Sequence, residues 1–198
     1  MLAWHASAVT FLSAGLLALS AGMALAQSAT DALACLSADH SESELVTWFA
    51  NMSWDRVTDP AAIADFRATL IFVENLDGDH PDQWEATRSW ARNPANTKPI
   101  DGAVLFQRGD TAVELGTDAG QRFCRIVSSR PMLDQIAAAN EITSVSKIGM
   151  IRRLNNEGSG LLISAHELSA FALDEWDLPE DHRFVATFAT LPPSEVTP

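Results

Sequence analysis

The chain has 198 residues, a formal net charge of −13 and no tyrosine. So acidic a balance argues against nucleic acid, whose phosphates are neutralised by Lys and Arg, and against electrostatic attraction to an anionic membrane surface.

Residues 1–26 carry no Asp, Glu, Lys or Arg. An apolar stretch from Val9 to Leu25, interrupted by Ser13, Gly15, Ser20 and Gly22, closes on Ala24-Leu25-Ala26, and polar Gln27 to Asp31 follows. Small residues at these positions are what a signal peptidase needs, so the pattern predicts a secretory signal peptide over 1–26. Its first seven residues hold no Lys or Arg, a departure from the usual pattern. A membrane anchor would need about 20 predominantly apolar residues, and the Ser and Gly interruptions weaken such a span. The expected location is periplasmic or secreted, with no membrane span after cleavage. All of the charge then lies beyond residue 26, and all but Glu195 in one soluble domain over 27–190, followed by a disordered tail over 191–198.

Two cysteines remain, Cys35 and Cys124. In an oxidising compartment a lone pair reads first as a disulfide, here tying the mature N-terminus to mid-chain. Leu33-Ala34-Cys35 fits a lipidation box poorly, because the Leu stands one position too close and Asp31 separates it from the apolar run. A catalytic thiolate at Cys124 lacks a nearby His.

Ser41-Glu42-Ser43-Glu44 is a capping box before Leu45, Val46, Trp48, Phe49 and Met52, predicting a helix over 42–52. Asp59-Pro60 starts a second, short helix through Ile63, Phe66 and Leu70, which runs into a buried strand over Thr69-Leu-Ile-Phe-Val73. A turn cluster from Asn75 to Asp82 precedes a third helix from Pro81 to Ala91, stopped by Asn93-Pro94. Residues 102–116 read as a hairpin around Arg108-Gly109-Asp110, and a strand follows at 122–128. Pro131 opens a helix with Met132, Leu133, Ile136 and Ala139 on one face. A second hairpin pairs 147–154 with 161–165, residues 168–181 form either a short helix or an acidic loop, and 183–190 alternates like a final strand.

The class expected is α+β: a single domain with a mainly antiparallel sheet, N-terminal helices, and helices packed on one face. Residues 69–116 and 122–165 both read strand, helix, hairpin, which suggests a duplicated β-α-β-β unit as one option and coincidence as the other. Five tryptophans fall beyond residue 26, Trp48, Trp54, Trp84, Trp90 and Trp176, and core packing is the first reading for each.

The most chemical-looking segment gathers Asp77, Asp79, His80, Asp82 and Glu85, five candidate ligands for a hard cation. No register through it satisfies the alternate oxygens, sixth-position Gly and twelfth-position Glu of a calcium loop, and a turn with an acidic helix cap accounts for the same residues. Asp174, Glu175, Asp177, Glu180, Asp181 and His182 form a second acidic group that reads as a solvated face. His166-Glu167 would open a zinc-protease helix, but Ala170 stands where the second His belongs. Ser144 and Lys147 match a Ser-x-x-Lys motif without its partner motifs. No cofactor is implied. The expectation is an exported acidic module, without catalytic activity, that binds a protein or small-molecule ligand; the alternative is a periplasmic hydrolase or metal-dependent enzyme whose site assembles only in the fold.

Overall fold

The structure is a computed structural model that describes residues 31–191 apart from Ala38, Gly78, Asp79 and Ser159; the expected signal peptide, and the expected tail beyond Leu191, lie outside the described residues. A short 3-10 turn at Leu33–Leu36 leads into α1 (Glu42–Asn51), β1 (Asp55–Val57), α2 (Pro60–Glu74) and α3 (Trp84–Ala91). Three strands follow, β2 (Val104–Arg108), β3 (Thr111–Asp118) and β4 (Gln121–Ser128), then α4 (Leu133–Ala139). The chain closes with β5 (Ser146–Ile148), β6 (Ile151–Gly158), β7 (Leu161–Leu168), α5 (Ala170–Glu175) and β8 (Phe184–Thr190).

All eight strands join one antiparallel sheet in the order β1-β2-β3-β4-β8-β7-β6-β5. The fold is therefore α+β in a single domain, built from two four-stranded meanders that meet along the β4–β8 pairing. The expected β-α-β-β units do not coincide with these meanders, because the first unit lacks its opening strand. Thr69 to Val73 is the C-terminal half of α2. Strand propensity loses here to packing: Phe66, Arg67, Ala68, Thr69, Leu70, Phe72 and Val73 are all buried. A helix buried nearly all round shows no amphipathic stripe, so its β-branched end imitates a strand.

The expected strand over 147–154 is likewise divided. Gly149, at φ 51, takes the left-handed conformation that opens a turn, so β5 folds back on β6 with Ile148 opposite Ile151. The unresolved choice over 168–181 settles as a helix: the Ser169 hydroxyl accepts from Ala172 N at 3.1 Å and caps α5, which Asp174 and Glu175 close, and Asp177, Glu180 and Asp181 follow it.

Helices cover both faces of the sheet instead of the single face expected. Strand alternation explains the division, since residues i and i+2 share a face. Val113 and Leu115, Cys124 and Ile126, Ile163 and Ala165, and Phe184, Ala186 and Phe188 pack with Leu45 and Phe49 of α1 and Leu133 and Ile136 of α4. The opposite side of the same strands supplies Leu105, Val127, Leu168 and Val185, which pack with Phe66, Leu70 and Val73 of α2, Ala91 of α3, and Ala172 and Leu173 of α5. The central strands β4 and β8 thus bury residues on both faces, whereas the edge strands β1 and β5 are mostly exposed.

Cys35 and Cys124 form the expected disulfide, with Cα atoms 5.8 Å apart across a sequence separation of 89. It pins the segment before α1 to a central strand on the α1 side. Among the described residues, no helix is long and apolar enough to cross a membrane.

Candidate functional site

The α2 side of the sheet carries one row of polar residues that runs against the apolar pattern. Register places Glu114 of β3 beside Arg125 of β4, Arg125 beside Thr187 of β8, Thr187 beside Ser164 of β7, and Ser164 beside Asn155 of β6. The row crosses five adjacent strands. Two positions further along β7, His166 stands on the same face, opposite Arg153. Above this row lies a cleft of about 540 Å³, roofed by Arg67, Leu70, Ile71 and Glu74 of α2 and edged by Asn96 and Ile100. That volume falls within the ordinary range of small-ligand sites.

A buried ion network fixes one end. Arg67 Nε donates to Glu114 Oε1 at 2.9 Å and Arg67 Nη2 to Glu114 Oε2 at 3.2 Å, the side chains being 6% and 3% exposed. Arg67 Nη1 also donates to the Lys98 carbonyl, which holds the 96–100 loop against the helix. Arg125 Nη1 reaches Glu114 Oε2 at 3.2 Å, and the Arg125 guanidinium lies 4.4 Å over the ring of Phe123. One carboxylate between two guanidiniums, each buried or stacked, is an oriented arrangement and not a loose surface contact. Gly116 contributes indirectly: the Phe123 ring occupies the place a Cβ would take there, at 2.6 Å.

At the other end the Thr187 hydroxyl donates to Glu74 Oε1 at 2.6 Å. Burial pushes the Glu74 carboxyl up from its ordinary value, while Thr187 and Arg125 oppose the shift. His166 is 5% exposed and its Nδ1 is buried with no hydrogen-bond partner. Desolvation, helped by the Arg153 charge, brings the ring down to about 4, so the imidazole is neutral at physiological pH.

The residues singled out from sequence fare differently. Cys35 and Cys124 are joined on the far side of the sheet from the cleft. Asp77, His80, Asp82 and Glu85 are exposed around a turn in which His80 N donates to the Asp77 carbonyl at 3.3 Å, and Asp79 lies outside the described residues. Among the described residues no group of three or more His, Cys, Asp or Glu is placed to hold a metal ion. Asp174, Glu175, Asp177, Glu180 and Asp181 are exposed, with His182 tucked beneath them and its Nδ1 2.9 Å from Asp181. His166 and Glu167 lie in a strand, so they point to opposite faces: His166 enters the cleft, and Glu167 accepts from Leu133 N at the start of α4 and from Arg152. Ser144 and Lys147 are exposed. Trp54 and Trp176 are core residues, whereas Trp90 is half exposed.

No family model, curated protein or solved structure matches this chain. The cleft therefore has to be read from its own chemistry. Sequence reasoning missed Arg67, Glu74, Glu114, Arg125, Ser164 and Thr187. A signal did exist for two of them. Glu114 interrupts the strand run Ala112-Val-Glu-Leu115, and Arg67 sits inside the apolar run Phe66 to Val73, where an unpaired charge would be costly.

Proposed function

We propose that the protein is an exported, acidic module that binds a small ligand in the cleft between α2 and the sheet, without transforming it. The polar row Glu114-Arg125-Thr187-Ser164 on the cleft floor carries this reading, since it places hydrogen-bonding groups in an otherwise apolar layer and opens onto a ligand-sized space. The state of those groups supports binding over catalysis. Among the described residues, Glu74 is engaged by Thr187, no carboxylate orients His166, and no hydrogen bond joins Ser164 to His166. An activated nucleophile needs such a chain of contacts. Export is supported by the Ala24-Leu25-Ala26 processing pattern and by a disulfide of the kind that persists in oxidising compartments.

Two measurements test the proposal. Intact mass of exported material should show loss of residues 1–26 and a mass about two daltons below the reduced chain. A thermal-shift screen across charged and neutral small molecules should find ligands that raise Tm in the native protein but not in Ser164→Phe, whose ring fills the cleft floor. A retained N-terminus, ligands indifferent to Ser164→Phe, or turnover of a bound compound would contradict it; turnover would favour the hydrolase reading, for which His166 and Glu74 in one cleft are the supporting observation.

A further inference from the structure

Given that reading of the cleft as a binding site, we infer that its ligand is a small organic acid, with a carboxylate held by Arg125 and His166 and an apolar body against Leu70, Ile71 and Ile100. The charge around the cleft departs from that of the whole chain. The protein carries −13, yet around the cleft Arg67 of α2 and Arg125 of β4 face Glu114 and Glu74, and Arg153 of β6 stands opposite His166. Glu114 is shared by Arg67 and Arg125, Glu74 also interacts with Arg125, and counting Arg153 the three arginines exceed the two carboxylates by one positive charge.

Arg125 is the group built to use it. Stacking on Phe123 and the single bond from Nη1 to Glu114 fix the guanidinium, while its side chain stays 23% exposed and its remaining donors have no partner among the described residues. A planar, pre-oriented fork of this kind suits a carboxylate. His166 gives the independent observation, because the residue lines the cleft and its buried Nδ1 has no hydrogen-bond partner among the described residues. Buried polar atoms in folded proteins are normally satisfied, and a ligand oxygen would satisfy this one. Arg153 beside it also has a buried, unpartnered Nε.

A cationic ligand would meet Arg67 and Arg125, and the acid it would seek, Glu74, already accepts from Thr187. A dianion would need more than one surplus charge, and the Leu70, Ile71 and Ile100 lining adds nothing to its binding.

Calorimetric titration of the disulfide-bonded protein with octanoate and benzoate, each against its primary amide and against octylamine, tests the inference. The acids should bind, with the amides weaker by about tenfold or more. Arg125→Gln should bring the acids down to the level of the amides, and Arg125→Lys, which keeps the charge without the fork, should fall between. Glu114 keeps both contacts from Arg67 in these variants, so folding is expected to survive and circular dichroism checks it. Acid and amide binding alike, both lost in Ser164→Phe, would overturn the anion and leave the cleft as a binding site. Acid binding unchanged in Ser164→Phe would overturn the cleft reading itself. No binding of any probe at millimolar concentration would overturn the inference.

Discussion

Arg67→Met removes one partner of a carboxylate that has almost no access to water. Glu114 is 3% exposed in its side chain and would be left with Arg125 alone at 3.2 Å, while the Lys98 carbonyl would lose its guanidinium donor. Breaking a buried pair by deleting one member costs about 3–5 kcal/mol, because the orphaned charge stays desolvated. For a domain whose stability is on the order of 5–15 kcal/mol, that is a large fraction. Arg67→Met combined with Glu114→Leu removes both buried charges and leaves Arg125, which at 23% exposure can turn to solvent. The double variant should therefore lose less than Arg67→Met does, giving a coupling of about 2 kcal/mol or more in a mutant cycle. Urea unfolding of the four proteins, with comparable m values, reads this directly. A loss below about 1 kcal/mol for Arg67→Met, or additive losses in the double variant, would show that the network is not the buried anchor described here.

Four further outcomes follow from the same contacts. Removing the disulfide by Cys35→Ser with Cys124→Ser should cost roughly 4–5 kcal/mol in the chain-entropy account, given the separation of 89 residues, and a reductant should lower the Tm of the native protein but not of the double variant. His166 binds a proton more weakly folded than unfolded, about 4 against 6.5, so its contribution to stability is present above pH 6.5 and is lost as pH falls towards 4. The loss is about 3 kcal/mol in total, and His166→Gln should flatten that part of the stability profile measured by denaturant titration across pH. Glu74 has the opposite sign: its raised folded value means stability present at low pH and lost as pH rises through it, so Glu74→Gln should gain on the native protein as pH increases from 4 to 7 in the same titration. Gly116→Ala would place a methyl 2.6 Å from the Phe123 ring and should destabilise by about 1–3 kcal/mol while loosening the stack under Arg125, which the chemical shift of the Arg125 side chain would report.

What was readable from sequence was local. The capping box of α1 is made as written, with Ser41 N donating to Glu44 Oε2 at 2.7 Å and Glu44 N to Ser41 Oγ at 3.3 Å. Asp59 Oδ1 caps α2 by accepting from Ala61 N at 3.1 Å, and Gly109 turns the β2–β3 hairpin at φ 62. These signals need only three or four residues. The second half of α2 was not readable, because burial on nearly every side removes the helical period that a half-exposed helix displays. Helices on both sheet faces were hidden for a related reason: in β4 and β8 apolar residues occupy both faces, so alternation could not announce a second covered layer. The site was the least legible part. Arg67 lies 47 residues from Glu114 and Thr187 lies 113 from Glu74, so partners meet only through strand order and register. His166 was noticed for the wrong motif; its neighbour Glu167, adjacent in sequence, serves α4 on the other side of the sheet.

Nitrogen-15 NMR of the arginine side chains during titration with octanoate tests the central claim most directly, because it reports on the residue said to do the binding. Saturable shifts of the Arg125 Nε–H signal and of the His166 ring, with Arg108 and Arg130 on other elements unmoved, are the predicted result. Shifts centred on other residues, or an Arg125 signal that stays still while octanoate binds, would contradict the account.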